Sequence, residues 1–210
     1  MENPDRKQRK SKILAVGDIH GDTRFTERLA ETAKRENVDL VLLAGDLLIS
    51  DEHFEGVIGP FARAGKQVLL VPGNHEAFAT IDFLAELYSN AKNIHGGYFI
   101  SSDLGVFGVG GAGLSGLDPL TESGIFYLLK RGHEKIKHAK RKIMLTHMHP
   151  GGSRSEFSGF PGSSAIRKAI EYFQPDFAIN SHIHEASGIE EKIGKTRVIN
   201  VSGKEKLFEI

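Results

Sequence analysis

The chain has 210 residues, 27 Lys plus Arg balanced by 27 Asp plus Glu, ten histidines and no cysteine. That length suits one α/β domain with a sizeable core, and the even charge supplies no global field for a nucleic-acid polymer or an anionic membrane. Disulfides and thiolate metal ligands are excluded, and no apolar run approaches the roughly 20 residues that cross a bilayer.

The first residues carry charge without an apolar stretch behind it, so no signal peptide is expected and the expected location is cytoplasmic. Residues 1–11 read as a basic flexible tail; its charge bias, "RKQRKSK" (Arg6–Lys12), which runs to the first residue of the domain, is too short and too poor in aromatics for a nucleic-acid arm. Residues 12–210 read as a single domain. Ile13–Val16 is a buried-strand run. Phe25–Glu36 has helical spacing, with Asp22 as its cap. Leu40–Ala44 is a second apolar run, Phe54–Ala64 reads as helix, Val68–Val71 is a third run, and Ile81–Tyr88 is helical again. This alternation predicts a parallel sheet with helices on its faces.

In the second half, Tyr98–Ser101 and Val106–Val109 read as strands around "SSDLG", followed by the Gly-rich loop "GGAGLSGLDPL". Ile125–His138 reads as helix, Ile143–Thr146 as strand, Ala165–Phe173 as helix and Phe177–Asn180 as strand, and a hairpin turns at Gly194–Lys195. His53, His133 and His138 fall on predicted helices and read as surface residues, and His95 reads as a turn residue. The loop from His147 to Ser163 has no helical or strand period and is long enough to suggest function. His149, Arg154, Phe157 and Phe160 on it are candidate substrate contacts.

The polar groups fall at strand ends. The first run ends in "GDIHG" (Asp18, His20), the second in "AGDLL" (Asp46) and the third in "PGNHE" (Asn74, His75, Glu76). Later runs end in "MLTHMHP" (His147, His149) and "AINSHIHE" (His182, His184). In a parallel α/β sheet the C-terminal strand ends share one edge, where ligands bind. One Asp after a strand is ordinarily a turn or helix cap. Five coincident strand ends are not explained by capping, and carboxylates crowded there without a cation would repel and resist burial. Asp18, His20, Asp46, Asn74, His147, His182 and His184 are therefore candidate metal ligands, in number suited to two divalent cations. Oxygen and nitrogen donors without thiolate admit manganese, iron, zinc, cobalt and nickel; the expected cofactor is two divalent ions, manganese before iron, zinc, nickel or cobalt.

These five blocks, "GDIHG", "GD", "GNHE", "THMHP" and "SHIHE", resemble in order the signature blocks of the calcineurin-like metallophosphoesterases, over Ile13 to about Gly203. The resemblance implies a four-layer αββα sandwich, two facing mixed β-sheets flanked by helices, with a binuclear metal centre at its rim. It implies one cation on Asp18, His20, Asp46 and His184, and a second on Asp46, Asn74, His147 and His182, with Asp46 bridging. His75 would donate to the phosphate or leaving oxygen, and a metal-bound hydroxide would attack phosphorus in line. Two departures stand out. The family commonly has Gly where Ser181 stands. The protein-phosphatase branch carries an Arg that "GDLLISDEH" lacks, so the chain looks more like the small single-domain phosphoesterases, including those resembling cyclic-nucleotide phosphodiesterases. The expected activity is hydrolysis of a small phosphodiester or phosphomonoester. The alternatives are a catalytically silent binding scaffold on the same fold, which the intact ligand set and His75 disfavour, and a nuclease, which the neutral charge disfavours. Oligomeric state stays open.

Overall fold

A computed structural model describes residues 10–49 and 56–210. The tail reading for residues 1–9, the reading of His53 and the first residues of the helix expected from Phe54 lie outside that range.

Strands β1 (Lys12–Val16), β2 (Leu40–Leu43), β3 (Gln67–Leu70) and β4 (Ala91–Asn93) are parallel, and β11 (Lys206–Glu209) closes on β1 in antiparallel register. Helices α1 (Thr23–Arg35), α2 (Gly59–Arg63) and α3 (Phe78–Glu86) connect them. A second sheet has the order β5 (Tyr98–Ser101), β6 (Leu104–Val109), β7 (Arg141–Thr146), β8 (Phe177–Asn180), β10 (Thr196–Asn200), β9 (Glu190–Ile193). Its inner four strands are parallel and its two edges antiparallel. Helices α4 (Glu122–Ile136) and α5 (Ser164–Phe173) complete the element order.

Strand alternation builds the layers. Leu14, Val16, Val41, Leu43, Val68 and Leu70 face α1, α2 and α3, with Leu29, Phe61 and Ile81 packed on them. The alternate residues Ile13, Ala15, Leu40, Leu42 and Leu69 face the second sheet and meet Val106, Ile143, Leu145, Ile179 and Ile199. On that sheet's outer side Phe107, Met144 and Val198 pack against Leu129, Ile166 and Ile170 of α4 and α5. The molecule is thus the four-layer αββα sandwich, with an apolar core between the sheets and one under each helical layer. Among the described residues no helix is long and apolar enough to cross a membrane.

The expected helix over 54–64 is shorter. Gly56 has φ +76°, and Pro60 sits in the first turn, so α2 begins only at Gly59. β4 and β11 have no counterpart among the expected elements. The long loop is also not wholly irregular, because Arg154–Ser158 forms a 3-10 turn. His133 is half-buried rather than a surface residue: its ring stacks on Phe173 at 4.3 Å. Asp22 caps α1 as expected, its carboxylate accepting from the Phe25 amide at 2.8 Å.

Candidate metal centre

The candidate ligands occupy the C-terminal ends of β1, β2, β3, β7 and β8. Backbone bonds extend the β1–β2 pairing into the loops: the Asp18 amide donates to the Gly45 carbonyl at 2.9 Å and the His20 amide to the Asp46 carbonyl at 3.0 Å. Between the β7 and β8 ends, the Ser181 amide donates to the His147 carbonyl at 2.9 Å. Asp18, His20, Asp46 and His182 all have positive φ, between 47° and 72°. Each such residue costs on the order of 1–3 kcal/mol, a cost that persists where surrounding structure imposes it and that clusters at working sites. Glycine keeps the approach close. A Cβ at Gly73 would collide with the Asp46 carboxylate, and one at Gly45 would lie 2.6 Å from His147 Nδ1.

Two groups of possible ligand atoms form, Asp18 with His20 and His184, and Asp46 with His147 and His182; within each group the atoms lie within 4.8 Å of one another. In the first group, Asp18 Oδ2 accepts from the His182 amide at 3.0 Å. Its Oδ1 faces His184 Nε2 at 3.2 Å and His20 Nε2 at 3.8 Å. In the second, Asp46 Oδ1 is tied by the amides of Asn74 at 2.8 Å and His75 at 3.1 Å. That leaves Oδ2 turned toward His147 Nε2 at 3.5 Å, His75 Nε2 at 3.9 Å and His20 Nε2 at 4.0 Å. The Asp46 carboxylate therefore stands between the two groups. Asn74 Oδ1 lies 3.0 Å from His147 Nε2 and joins the second.

The electrostatics favour positive charge at this point. Burial alone would raise the Asp46 carboxyl, but the hydrogen bond and charge of His147 and the amide of His75 hold it well below the usual carboxylate range. Burial likewise opposes a charged His147, yet Asp46 and Asp18 outweigh it and push the imidazole up to about 9. His182 is pushed down to about 4, first by burial and then by His147. Burial also lowers His20, against the pull of Asp46 and Asp18. Neutral imidazoles are the form that ligates a metal, the form burial favours at His182 and His20, whereas a cation at His147 would have to displace the proton that Asp46 and Asp18 hold there.

His147 is also fixed from behind. Its Nδ1 donates to the Ala44 carbonyl at 2.8 Å, so Nε2 is the nitrogen turned toward Asn74 and Asp46. The fully buried Ser181 hydroxyl donates to the same carbonyl at 2.6 Å and lies 3.0 Å from Nδ1. Such outer contacts set the tautomer and orientation of a ligating His. In the sequence Ser181 reads only as a small turn residue, and nothing short of the fold places its hydroxyl on His147. Glu76 is fully buried and accepts from the Leu47 amide at 3.1 Å. Burial and the neighbouring Asp46 push its carboxyl up to about 7.

Some candidates stand elsewhere. His149 is fully buried, its Nε2 donating to the Phe160 carbonyl at 3.3 Å, so it holds the loop rather than facing solvent. His95 accepts from the Gly110 amide at 3.0 Å, in keeping with the turn reading. His75 is half exposed, at the open side of Asp46, with its ring edge-on to His20 at 5.1 Å.

The donor set fits divalent cations of borderline hardness: carboxylate, imidazole and amide oxygen, convergent and without thiolate. Comparison with known proteins agrees. The family model described as calcineurin-like phosphoesterase matches residues 11–186. Similar solved structures include TT1561 of Thermus thermophilus, with a TM-score of 0.76 at 18% identity over 96% of this chain and 99% of that one. A dimetal phosphatase from Danio rerio gives a TM-score of 0.61 at 11% identity, over 90% and 86% of the two chains. A novel archaeal phosphodiesterase gives 0.54 at 16%, over 95% and 99%. At these identities the likeness is one of fold. No similar sequence is found among curated proteins.

Proposed function

We propose, from the premise that this chain belongs to the calcineurin-like phosphoesterase family, that it hydrolyses a small phosphodiester or phosphomonoester at a centre of two divalent cations. Membership alone makes it a metal-dependent phosphoester hydrolase in class. The finer reading rests chiefly on one observation: the Asp46 carboxylate stands between two convergent ligand groups, with one oxygen tied by two amides and the other turned toward His147 of one group and His20 of the other.

In this reading Asp18, His20, Asp46 and His184 hold one cation, and Asp46, Asn74, His147 and His182 the other. Manganese is the first choice. When bound, the pair would acidify water and neutralise charge on the phosphoryl oxygens. The protein's own work is positioning. The amides of Asn74 and His75 hold Asp46 in one orientation, and the Ala44 carbonyl and Ser181 hold His147. Asn74 contributes an oxygen without adding negative charge. His75, through Nε2 on the solvent side, donates a hydrogen bond or a proton to the leaving oxygen. Two fold neighbours, a phosphodiesterase and a dimetal phosphatase, support this class of substrate.

A panel of phosphomonoesters, cyclic nucleotides and bis-aryl phosphodiesters, assayed with manganese and again with excess chelator, tests it. We expect chelator-sensitive turnover of at least one ester. A fully loaded protein that turns over none of them would favour the scaffold reading instead.

A further inference from the structure

The loop 110–120 and the loop 147–163 flank the candidate centre and carry an unusual set of side chains. Leu114, Leu117, Phe157 and Phe160 are 77%, 58%, 64% and 61% exposed, while the cores beneath are closed. Both loops are held in place against the centre. In the first, the Gly111 amide donates to the Pro72 carbonyl at 2.9 Å, and Asp118 accepts from the Phe78 amide at 2.6 Å. Gly116 lies directly on Asn74: a Cβ there would come within 2.7 Å of the Asn74 Cβ. Leu114 and Leu117 thus flank a residue pressed against a candidate ligand.

The second loop starts at His147 and is pinned by Glu156, whose Oε1 accepts from the amides of Gly152 and Gly162, each at 2.9 Å. The 3-10 turn Arg154–Ser158, which carries Phe157, packs against the turn His184–Ala186, which begins at a candidate ligand. Phe160 is held through its carbonyl by His149. The two loops also meet, since Met148 Sδ lies 3.8 Å from where a Cβ on Gly113 would stand. Their charged groups are few. Asp118 and Glu156 are engaged with backbone amides, and Arg154 is the one Lys or Arg on either loop.

We infer that these loops form an apolar rim selecting phosphoesters whose non-phosphate part is a short alkyl or aryl group. Leu114, Leu117, Phe157 and Phe160 cover that group while the centre holds the phosphate. This rests on the functional reading above and deepens it. Isolated exposed apolar residues are ordinary; these four sit on two abutting loops, one pressed on Asn74 and the other beginning at His147, and that placement carries the inference. Ser153 and Ser155 are buried, and the Ser158 and Ser163 hydroxyls donate to the Ser155 carbonyl and the Glu122 carboxylate, which leaves Ser115 and Arg154 as exposed polar side chains on these loops, so the rim offers mainly apolar area.

The test uses full-length, manganese-loaded protein and a series of n-alkyl phosphates (methyl, butyl, octyl) of constant charge. Affinity is measured by calorimetry and by competition against a turned-over aryl ester. Each methylene covered by the rim should tighten binding by up to about fourfold, so butyl phosphate should bind roughly tenfold or more tighter than methyl phosphate. Phe157→Ser with Phe160→Ser, and separately Leu114→Ser with Leu117→Ser, should flatten that dependence with metal content unchanged. Affinity independent of chain length would overturn the inference. So would a flat series in which the protein instead sediments with phosphatidylcholine vesicles, since the rim would then be a membrane contact. Failure to hydrolyse any ester would count against the functional reading alone, because the calorimetric series still reads the rim.

Discussion

At the scale of single residues, the division of labour between Asp46 and His75 is sharp. Asp46 is buried, tied by two backbone amides, and turned toward three imidazoles. His75 is adjacent in the same cluster but half exposed, and it is absent from both convergent ligand groups. His75→Ala should therefore leave the metal content of the protein intact and lower turnover by roughly 10²–10⁴-fold, the usual scale for a positioned proton donor. Elemental analysis alongside initial rates checks both halves. Full activity in this variant on every ester the parent hydrolyses would remove His75 from the proposed chemistry. The identity of these residues is readable in the sequence because each is locally marked: an Asp, Asn or His follows an apolar run beside glycine. The contacts that orient them are not. Ser181 and His147 are 34 residues apart, and their hydroxyl–imidazole contact exists only because β7 and β8 are neighbours.

At the scale of elements, local pattern carried most of the fold. Buried parallel strands such as Leu40–Leu43 are continuous apolar runs, and α1 and α5 present one apolar face each. The elements that escaped have no such mark. β4 is only three residues, "AKN", none fully buried, and β11 is an edge strand with a mixed pattern, "KLFE". Both exist because a neighbouring strand offers a free ladder of backbone groups. The order of the 147–163 loop is likewise tertiary. Besides His149 on the Phe160 carbonyl, a carboxylate of the loop itself, Glu156, accepts from Gly152 and Gly162 and ties the loop to itself. Glu156→Ala should raise the amide exchange rates of Gly152 and Gly162 roughly tenfold or more, the order expected for losing a hydrogen bond to a charged acceptor. The exchange of β7 and β8 should not change. Unaltered exchange at both glycines would mean the loop is held by its other contacts, such as those at its base, where the Gly151 amide donates to the Ser163 carbonyl and the Ser163 amide to the His149 carbonyl.

At the scale of the molecule, two sheets converge so that five strand ends supply one edge. Either sheet alone is insufficient. Asp18, His20, Asp46, Asn74 and His75 follow strands of the first sheet, and His147, His182 and His184 follow strands of the second. The centre therefore reports on the packing of the whole sandwich, and its strained backbone is held by both sheets. The most direct measurement of the central claim is the manganese stoichiometry of the full-length protein, stripped with chelator and retitrated by calorimetry, with Asp46→Asn in parallel. The account predicts up to two ions per chain in the parent and impaired binding in Asp46→Asn, because that substitution removes the negative charge shared by the two groups. A parent protein that binds no divalent cation under any loading condition would contradict it.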